Sequence, residues 1–205
     1  MNIINSTLPI NIKVLSKSGF NNYTLMLNTK KIQTKSMIEL EINCEYLAEL
    51  YNDGGVLQFK NLSKKPKILF FEDGLTLIAE FLENDFSFKD YVVNSLINSK
   101  NSQEYEIFKE MLFAINENIY HIPFVFENKA CLFQMKKGAK KLEIYLYFSI
   151  FGAIKIILEN DEITLYSPFY KVCKFLSENL QIKVFHEQNI KPFFVFKKLA
   201  KAKYE

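Results

Sequence analysis

The chain has no arginine and no tryptophan, and its 205 residues include only two histidines, His121 and His186. Without arginine it cannot hold phosphates or carboxylates by the planar, two-pronged guanidinium contact. Neither histidine is next to a nucleophile or in a metal-ligand spacing, so both are interpreted as structural. No Gly-rich phosphate loop occurs, since Gly54-Gly55 reads as a hairpin turn. The sequence therefore predicts no catalytic residue, no metal site and no cofactor.

Cysteine is also scarce. Cys44, Cys131 and Cys173 are odd in number and far apart, and no CxxC pair is present. This pattern excludes a disulfide framework and argues against structural zinc. We expect three buried thiols in a reducing cytoplasm.

Long apolar runs are missing as well. The N-terminus has neither a basic region nor a continuous apolar stretch, as a signal peptide would. The run Phe148–Leu158 is interrupted by Gly152 and Lys155, and it is much shorter than the roughly 20 residues that span a bilayer. The sequence thus predicts a cytoplasmic protein without membrane insertion.

Charge is unevenly distributed along the chain. Residues 1–65 have 8 lysines and 5 acidic residues, residues 66–117 have 4 and 10, and residues 118–205 have 14 and 8. The net charges are therefore +3, −6 and +6. The acidic middle and the basic end either attract one another or bind different partners.

The first of these segments, 1–65, predicts a small β-barrel. Apolar and polar residues alternate in several short stretches, as in half-buried strands. These stretches are Ile10–Val14, Tyr23–Leu27, Ile32–Thr34, Ile38–Ile42, Tyr46–Tyr51 and Val56–Leu62. Asn52-Asp53-Gly54-Gly55 indicates a hairpin between the last two. Short strands at this density favour an antiparallel barrel of the OB or SH3-like kind.

The second segment, 66–117, predicts an acidic helical connector. Pro66 ends the last strand, and the apolar period then becomes helical from Ile68 to Leu82, with a possible break at Asp73-Gly74. Two more helical stripes follow, and Asn101 with Glu104 predicts a capping box for the last of them.

The third segment, 118–205, predicts an antiparallel sheet with one helix. Period-two alternation returns at Tyr120 and continues to Leu165, and Gly152 lies between two apolar strands. Ser167 and Pro168 predict the start of a helix with Phe169, Cys173, Leu176 and Leu180 on one face. Whether this helix continues past Leu180 stays open, and Pro192–Phe196 is expected to form an edge strand. The predicted class is α+β.

The stretch Lys141–Leu180 carries a family resemblance. Phe151-Gly152-Ala153-Ile154-Lys155-Ile156, the hairpin after it and the helix SPFYKVCKFLSENL are similar to the C-terminal domain of flagellar hook-length control proteins. The likeness covers about residues 119–196. Ser149 and Ile150 stand where the family has proline and leucine, and no stretch resembles the family's long ruler segment. A glycine between two apolar strands also fits a bulge or a tight bend.

The resemblance implies a non-enzymatic factor that binds the cytoplasmic part of the flagellar type III export gate and influences substrate switching. It places the protein at the flagellar base or among the exported proteins. The implied partner-binding residues are Phe151, Gly152, Ala153, Ile154, Lys155, Lys171 and Lys174. Oligomeric state is left open.

Two alternatives remain. An OB-like barrel could bind single-stranded nucleic acid, with Phe20, Tyr23, Tyr46, Tyr51 and Phe59 as stacking residues. Against this, three of these aromatics alternate like core residues, and four glutamates nearby would repel phosphate. The second alternative is a scaffold or chaperone of a secretion complex.

Overall fold

The computed structural model describes residues 7–53, 56–83 and 86–196. Within these ranges the chain forms two sheets and four helices, which confirms the α+β class. The strands are β1 Ile10–Lys17, β2 Asn22–Leu27, β3 Lys30–Lys35, β4 Glu45–Asp53, β5 Val56–Lys64, β6 Tyr120–Phe126, β7 Lys129–Lys137, β8 Lys141–Phe148, β9 Gly152–Glu159, β10 Glu162–Ser167 and β11 Lys183–His186. The helices are α1 Gly74–Glu83, α2 Phe88–Ile97, α3 Ser102–Asn116 and α4 Tyr170–Leu180.

The first sheet has the order β3-β2-β1-β4-β5, and all its pairs are antiparallel. Its alternating residues bury one face, which includes Ile12, Val14, Leu25 and Leu27. The strands β4 and β5 form the predicted hairpin, whose turn residues 54 and 55 lie outside the described residues. Strands β3 and β5 are the two edges of the described sheet.

The predicted strand Ile38–Ile42 is wrong. This connection joins β3 to β4, and its backbone bonds to side chains instead of a ladder. The N–H of Leu40 donates to the Tyr23 hydroxyl at 3.2 Å, and the N–H of Glu41 donates to the Tyr46 hydroxyl at 3.0 Å. Only Leu40 reaches the core, whereas Ile38 and Ile42 are exposed.

The second sheet has the order β11-β10-β9-β8-β7-β6. One face packs against α1, α2 and α3, so the helical segment shares a single apolar core with β6 and β7. Gly74 lets α1 begin directly on β6, because a Cβ there would overlap the carbonyl oxygen of Pro123. The N-cap half of the predicted capping box is confirmed, since Asn101 Oδ1 accepts from the Glu104 N–H at 2.9 Å, whereas the Glu104 carboxylate accepts from the Lys100 N–H at 2.8 Å.

Helix α4 connects β10 to β11, which pair in parallel. The helix ends at Leu180, because Gln181 is left-handed with φ 54°. The predicted N-cap at Ser167 is wrong: Ser167 still pairs with His186 in the sheet, and the helix begins only at Tyr170. Leu180 is exposed, so the buried face of α4 is Val172 and Leu176.

The predicted edge strand Pro192–Phe196 is also wrong, since these residues join no sheet. The buried Gln134 side chain holds them instead. Its Oε1 accepts from the N–H groups of Phe193 and Phe194, and its Nε2 donates to the Phe194 carbonyl at 2.7 Å. Hydrogen bonds to one side chain thus replace the backbone ladder that the sequence pattern of this segment predicted.

The other face of the second sheet packs against α4 and against the first sheet. Leu47 of β4 belongs to a cluster with Tyr145, Tyr147 and Phe169. The two sheets are therefore in direct apolar contact. No helix in the described ranges is long and apolar enough to cross a membrane.

Candidate functional site

Three of the residues implied by the resemblance are buried where β9 begins. Gly152, Ala153 and Ile154 have almost no exposed surface. Gly152 has φ +73°, and a Cβ there would lie 2.6 Å from Phe169 Cε2 and 3.2 Å from Leu47 Cδ1. Gly152 therefore serves a tight bend packed between α4 and the first sheet.

Two of the implied residues lie at the surface of α4 and of the turn before β9. The half-buried Phe151 ring stacks on Phe175 with the centroids 5.7 Å apart. The Lys174 side chain is 78% exposed, and its Nζ is 4.0 Å from Glu178. Phe151, Phe175 and Lys174 form what we call the α4 patch.

The other two implied lysines make internal contacts. Lys155 Nζ forms an ion pair with both carboxylate oxygens of Glu187, at 2.6 and 2.5 Å. Lys171 Nζ donates to the Leu50 carbonyl of the first sheet at 2.9 Å. The seven implied residues thus do not form one surface.

Glu49 connects the first sheet to α4. Its carboxylate is fully buried, and Oε1 accepts from the backbone N–H of Lys171 at 2.6 Å. Oε2 accepts from the Tyr51 hydroxyl at 2.8 Å and from Asn61 Nδ2 at 2.7 Å. Burial and this contact with Glu49 raise the pKa of Tyr51 to about 12. The N-cap residue Phe169 makes no side-chain hydrogen bond. The helix is capped instead by Glu49 from the first sheet.

A cleft of about 940 Å³ lies between the two sheets. Three continuous stretches line it: residues 34–38 at the end of β3, residues 58–64 of β5, and residues 188–192. Tyr145, Tyr147 and Ala153 of the second sheet also line it, so Ala153 is the one implied residue that contributes to this cleft. The volume is in the range of sites that bind ligands.

The cleft is positively charged. The exposed lysines Lys35, Lys60, Lys64 and Lys191 line it, and no aspartate or glutamate is among its described lining residues. Lys64 pairs with Glu41 just outside the lining, at 2.5 Å. In the part of the chain that the structure describes, the other three lysines have no ion-pair partner.

Tyr147 lines this cleft, but its hydroxyl is buried and unsatisfied. The residue is 3% exposed, and its hydroxyl has no hydrogen-bond partner. Burial raises the pKa of both Tyr147 and Tyr145, so both phenols stay neutral at physiological pH. A buried hydroxyl without a partner costs about 1–3 kcal/mol.

The sequence did not predict this cleft, because its lining comes from stretches far apart in the chain. One signal was present: Tyr145 and Tyr147 alternate with the apolar residues of β8. Leu146 and the other apolar residues of β8 pack on the helices. The two tyrosines pack on the opposite face, with α4 and Leu47. Tyrosines on the second face of a sheet covered on both sides are a place to expect a polar site.

The remaining candidates have structural roles. Tyr23 and Tyr46 are buried, which removes them from any stacking surface for nucleic acid. His121 accepts from Gln134 in the core, and the His186 ring stacks on Tyr170. The described residues contain no group of three or more metal-binding side chains. Of the three free thiols only Cys131 is buried, while Cys44 and Cys173 are half-exposed.

Comparison with known proteins found no matching family model, no similar curated protein and no similar solved structure.

Proposed function

We propose that this chain is a non-enzymatic protein-binding factor of the flagellar type III export system. It binds the cytoplasmic part of the export gate and influences the switch between substrate classes. The observation that carries the binding role is the cleft between the sheets, with its four lysines and no described lining carboxylate. The export assignment rests on the resemblance of Lys141–Leu180.

The α4 patch is the surface we propose for the gate. Phe151 and Phe175 offer two stacked rings, and Lys174 places a charge beside them. An aromatic centre with a charged rim is typical of interface hot spots. Binding to one conformation of the gate would increase the population of that conformation, which is all that a switching factor needs to do.

We also propose that the first sheet acts as a barrel-like module that is open between β3 and β5. The order β3-β2-β1-β4-β5 leaves these two strands as edges, and both contribute to the same cleft. The connection 36–44 covers one end of this curved sheet and inserts Leu40 into its core. In this interpretation the opening is the binding face of the module.

The first experiment is affinity purification of the tagged chain from its own cells, followed by mass spectrometry. We expect export-gate components to copurify, and Phe175→Ala together with Lys174→Glu to reduce their recovery about tenfold. Lys89→Glu, an exposed charge on α2, is the control and should leave recovery unchanged.

Deletion of the gene tests the cellular role. We expect hooks of abnormal length or a loss of filaments. Normal hooks and normal motility in the deletion strain would refute the export assignment. Salt-dependent binding of a single-stranded oligonucleotide by the purified chain would favour the nucleic-acid alternative instead.

A further inference from the structure

We propose that the cleft between the two sheets binds an extended acidic peptide segment of a protein partner. This inference rests on the proposed role in protein binding and names the ligand chemistry of that role. Two observations on separate parts of the cleft carry it: its charge and the way β5 lines it.

The charge of the cleft selects an anionic ligand. Lys35, Lys60 and Lys191 come from three different stretches of the chain, and they have no ion-pair partner within the described residues. Three uncompensated lysines around one opening attract negative charge and repel a basic ligand. Met37 and Ile38 are exposed beside them, so apolar side chains of the ligand also find contacts.

The shape of the lining favours an extended chain. Every residue from Gln58 to Lys64 lines the cleft. Because successive side chains of a strand point to opposite faces, a cleft over one face would be lined by alternate residues only. A continuous run indicates that the cleft follows the edge of β5, which pairs with β4 on its other side. A free strand edge binds an added strand through main-chain hydrogen bonds.

A bulge sets the limit of this pairing. Asn61 is left-handed with φ 50°, and the β4–β5 register shifts between Leu47 and Glu49. The ladder along the free edge is therefore interrupted at Asn61. We expect the peptide to pair on the Gln58–Lys60 side and to continue past the bulge toward Lys191.

The test uses a fluorescein-labelled octapeptide of alternating valine and glutamate, with fluorescence anisotropy as the readout on the full chain. Matched peptides replace glutamate with glutamine or lysine, and a fourth carries N-methyl groups on alternate amides. We expect the acidic peptide to bind, the lysine peptide not to bind, and N-methylation of the pairing amides to weaken binding about tenfold. Raising the salt concentration should weaken it as well.

Protein variants locate the site. Lys60→Glu and Lys191→Glu should each reduce affinity about fivefold or more, whereas Lys89→Glu on α2 should not. Tyr147→Phe is a second control, because the Tyr147 hydroxyl is buried and its removal should leave the affinity unchanged.

The proposal is overturned if the acidic peptide causes no anisotropy change, if Lys60→Glu and Lys191→Glu bind as the parent chain does, or if Lys89→Glu weakens binding equally. It is also overturned if inorganic phosphate displaces the peptide at the same concentration of charge, because the ligand is then a small anion. Peptide binding together with normal hooks in the deletion strain would refute the export role alone. Copurification of gate components without peptide binding would refute the cleft assignment alone.

Discussion

Gly152 has a left-handed backbone, and its Cα lies against two side chains of other elements. Its φ is +73°, and an added Cβ would be 2.6 Å from Phe169 Cε2. We predict that Gly152→Ala lowers the free energy of unfolding by about 2–4 kcal/mol, from backbone strain together with overpacking. Urea unfolding followed by circular dichroism measures this.

Gly19 is the matched control for this substitution. It also has a positive φ, +90°, but an added Cβ would meet only Asn22 Nδ2 at 3.9 Å. Gly19→Ala therefore reports strain without overlap, and we expect it to cost about 1 kcal/mol. Equal losses in the two variants would show that the contact with Phe169 has no effect.

His121 is held neutral by the hydrogen bonds around it. Gln134 Oε1 accepts from two backbone N–H groups, which fixes the amide so that Nε2 donates to His121 Nδ1 at 2.8 Å. Nδ1 must then be unprotonated. Burial lowers the pKa of His121 to about 4, and Glu110, at 3.9 Å from Nε2, is too far away to form a hydrogen bond that would reverse this.

This histidine predicts a stability that depends on pH. Between pH values of about 4 and 6.5 the unfolded chain binds the proton and the folded chain does not. The contribution of neutral His121 to the free energy of unfolding is therefore fully present above pH ~6.5. It decreases on acidification, by at most about 1.4 kcal/mol per pH unit. His121→Asn should be less stable at neutral pH, and its deficit should shrink toward pH ~4. A deficit that stays constant across urea titrations at several pH values would contradict this.

At the scale of elements, α4 depends on a cap from another sheet. Glu49 is buried, and it accepts from the Lys171 N–H, from Tyr51 and from Asn61. We predict that Glu49→Ala costs about 3 kcal/mol or more, because it removes a fully buried carboxylate and leaves three partly buried donors without this acceptor. The variant Asn101→Ala, at the exposed N-cap of α3, should cost only about 1 kcal/mol. Thermal unfolding of the two variants makes this comparison, and equal losses would show that the Glu49 bonds add nothing beyond an ordinary cap.

Elements that bury one regular face were predictable from sequence, and elements held by single side chains were not. The alternation of Tyr23–Leu27 and the capping box at Asn101 follow from local periods and local bonds. Local signals could not reveal that tyrosine hydroxyls bind the backbone of residues 38–42, where a strand was predicted. They also could not reveal that Gln134 binds the backbone of residues 193–194. Nor could they reveal the cap from Glu49, which is 122 residues from the N–H it caps. The cleft likewise could not be predicted from local signals.

At the scale of the whole molecule, the contact between the sheets determines whether the protein unfolds as one unit. Leu47 is on β4 but packs in the core of the second sheet, beside Tyr147 and Phe169. Leu25 is equally buried, but it packs within the first sheet. Both leucines are 1% exposed, so truncating either removes the same group from equally buried surroundings.

We predict that Leu47→Ala and Leu25→Ala each cost about 2–5 kcal/mol, but that they differ in cooperativity. Leu47→Ala opens a cavity between the sheets, so the amides of β1–β5 should exchange hydrogen faster while those of β6–β10 remain protected. Leu25→Ala should keep the contact between the sheets. Hydrogen exchange followed by mass spectrometry resolves the two sheets separately. Equal acceleration in both sheets of Leu47→Ala would mean that the polar bonds of Glu49 and Lys171 are sufficient to couple them.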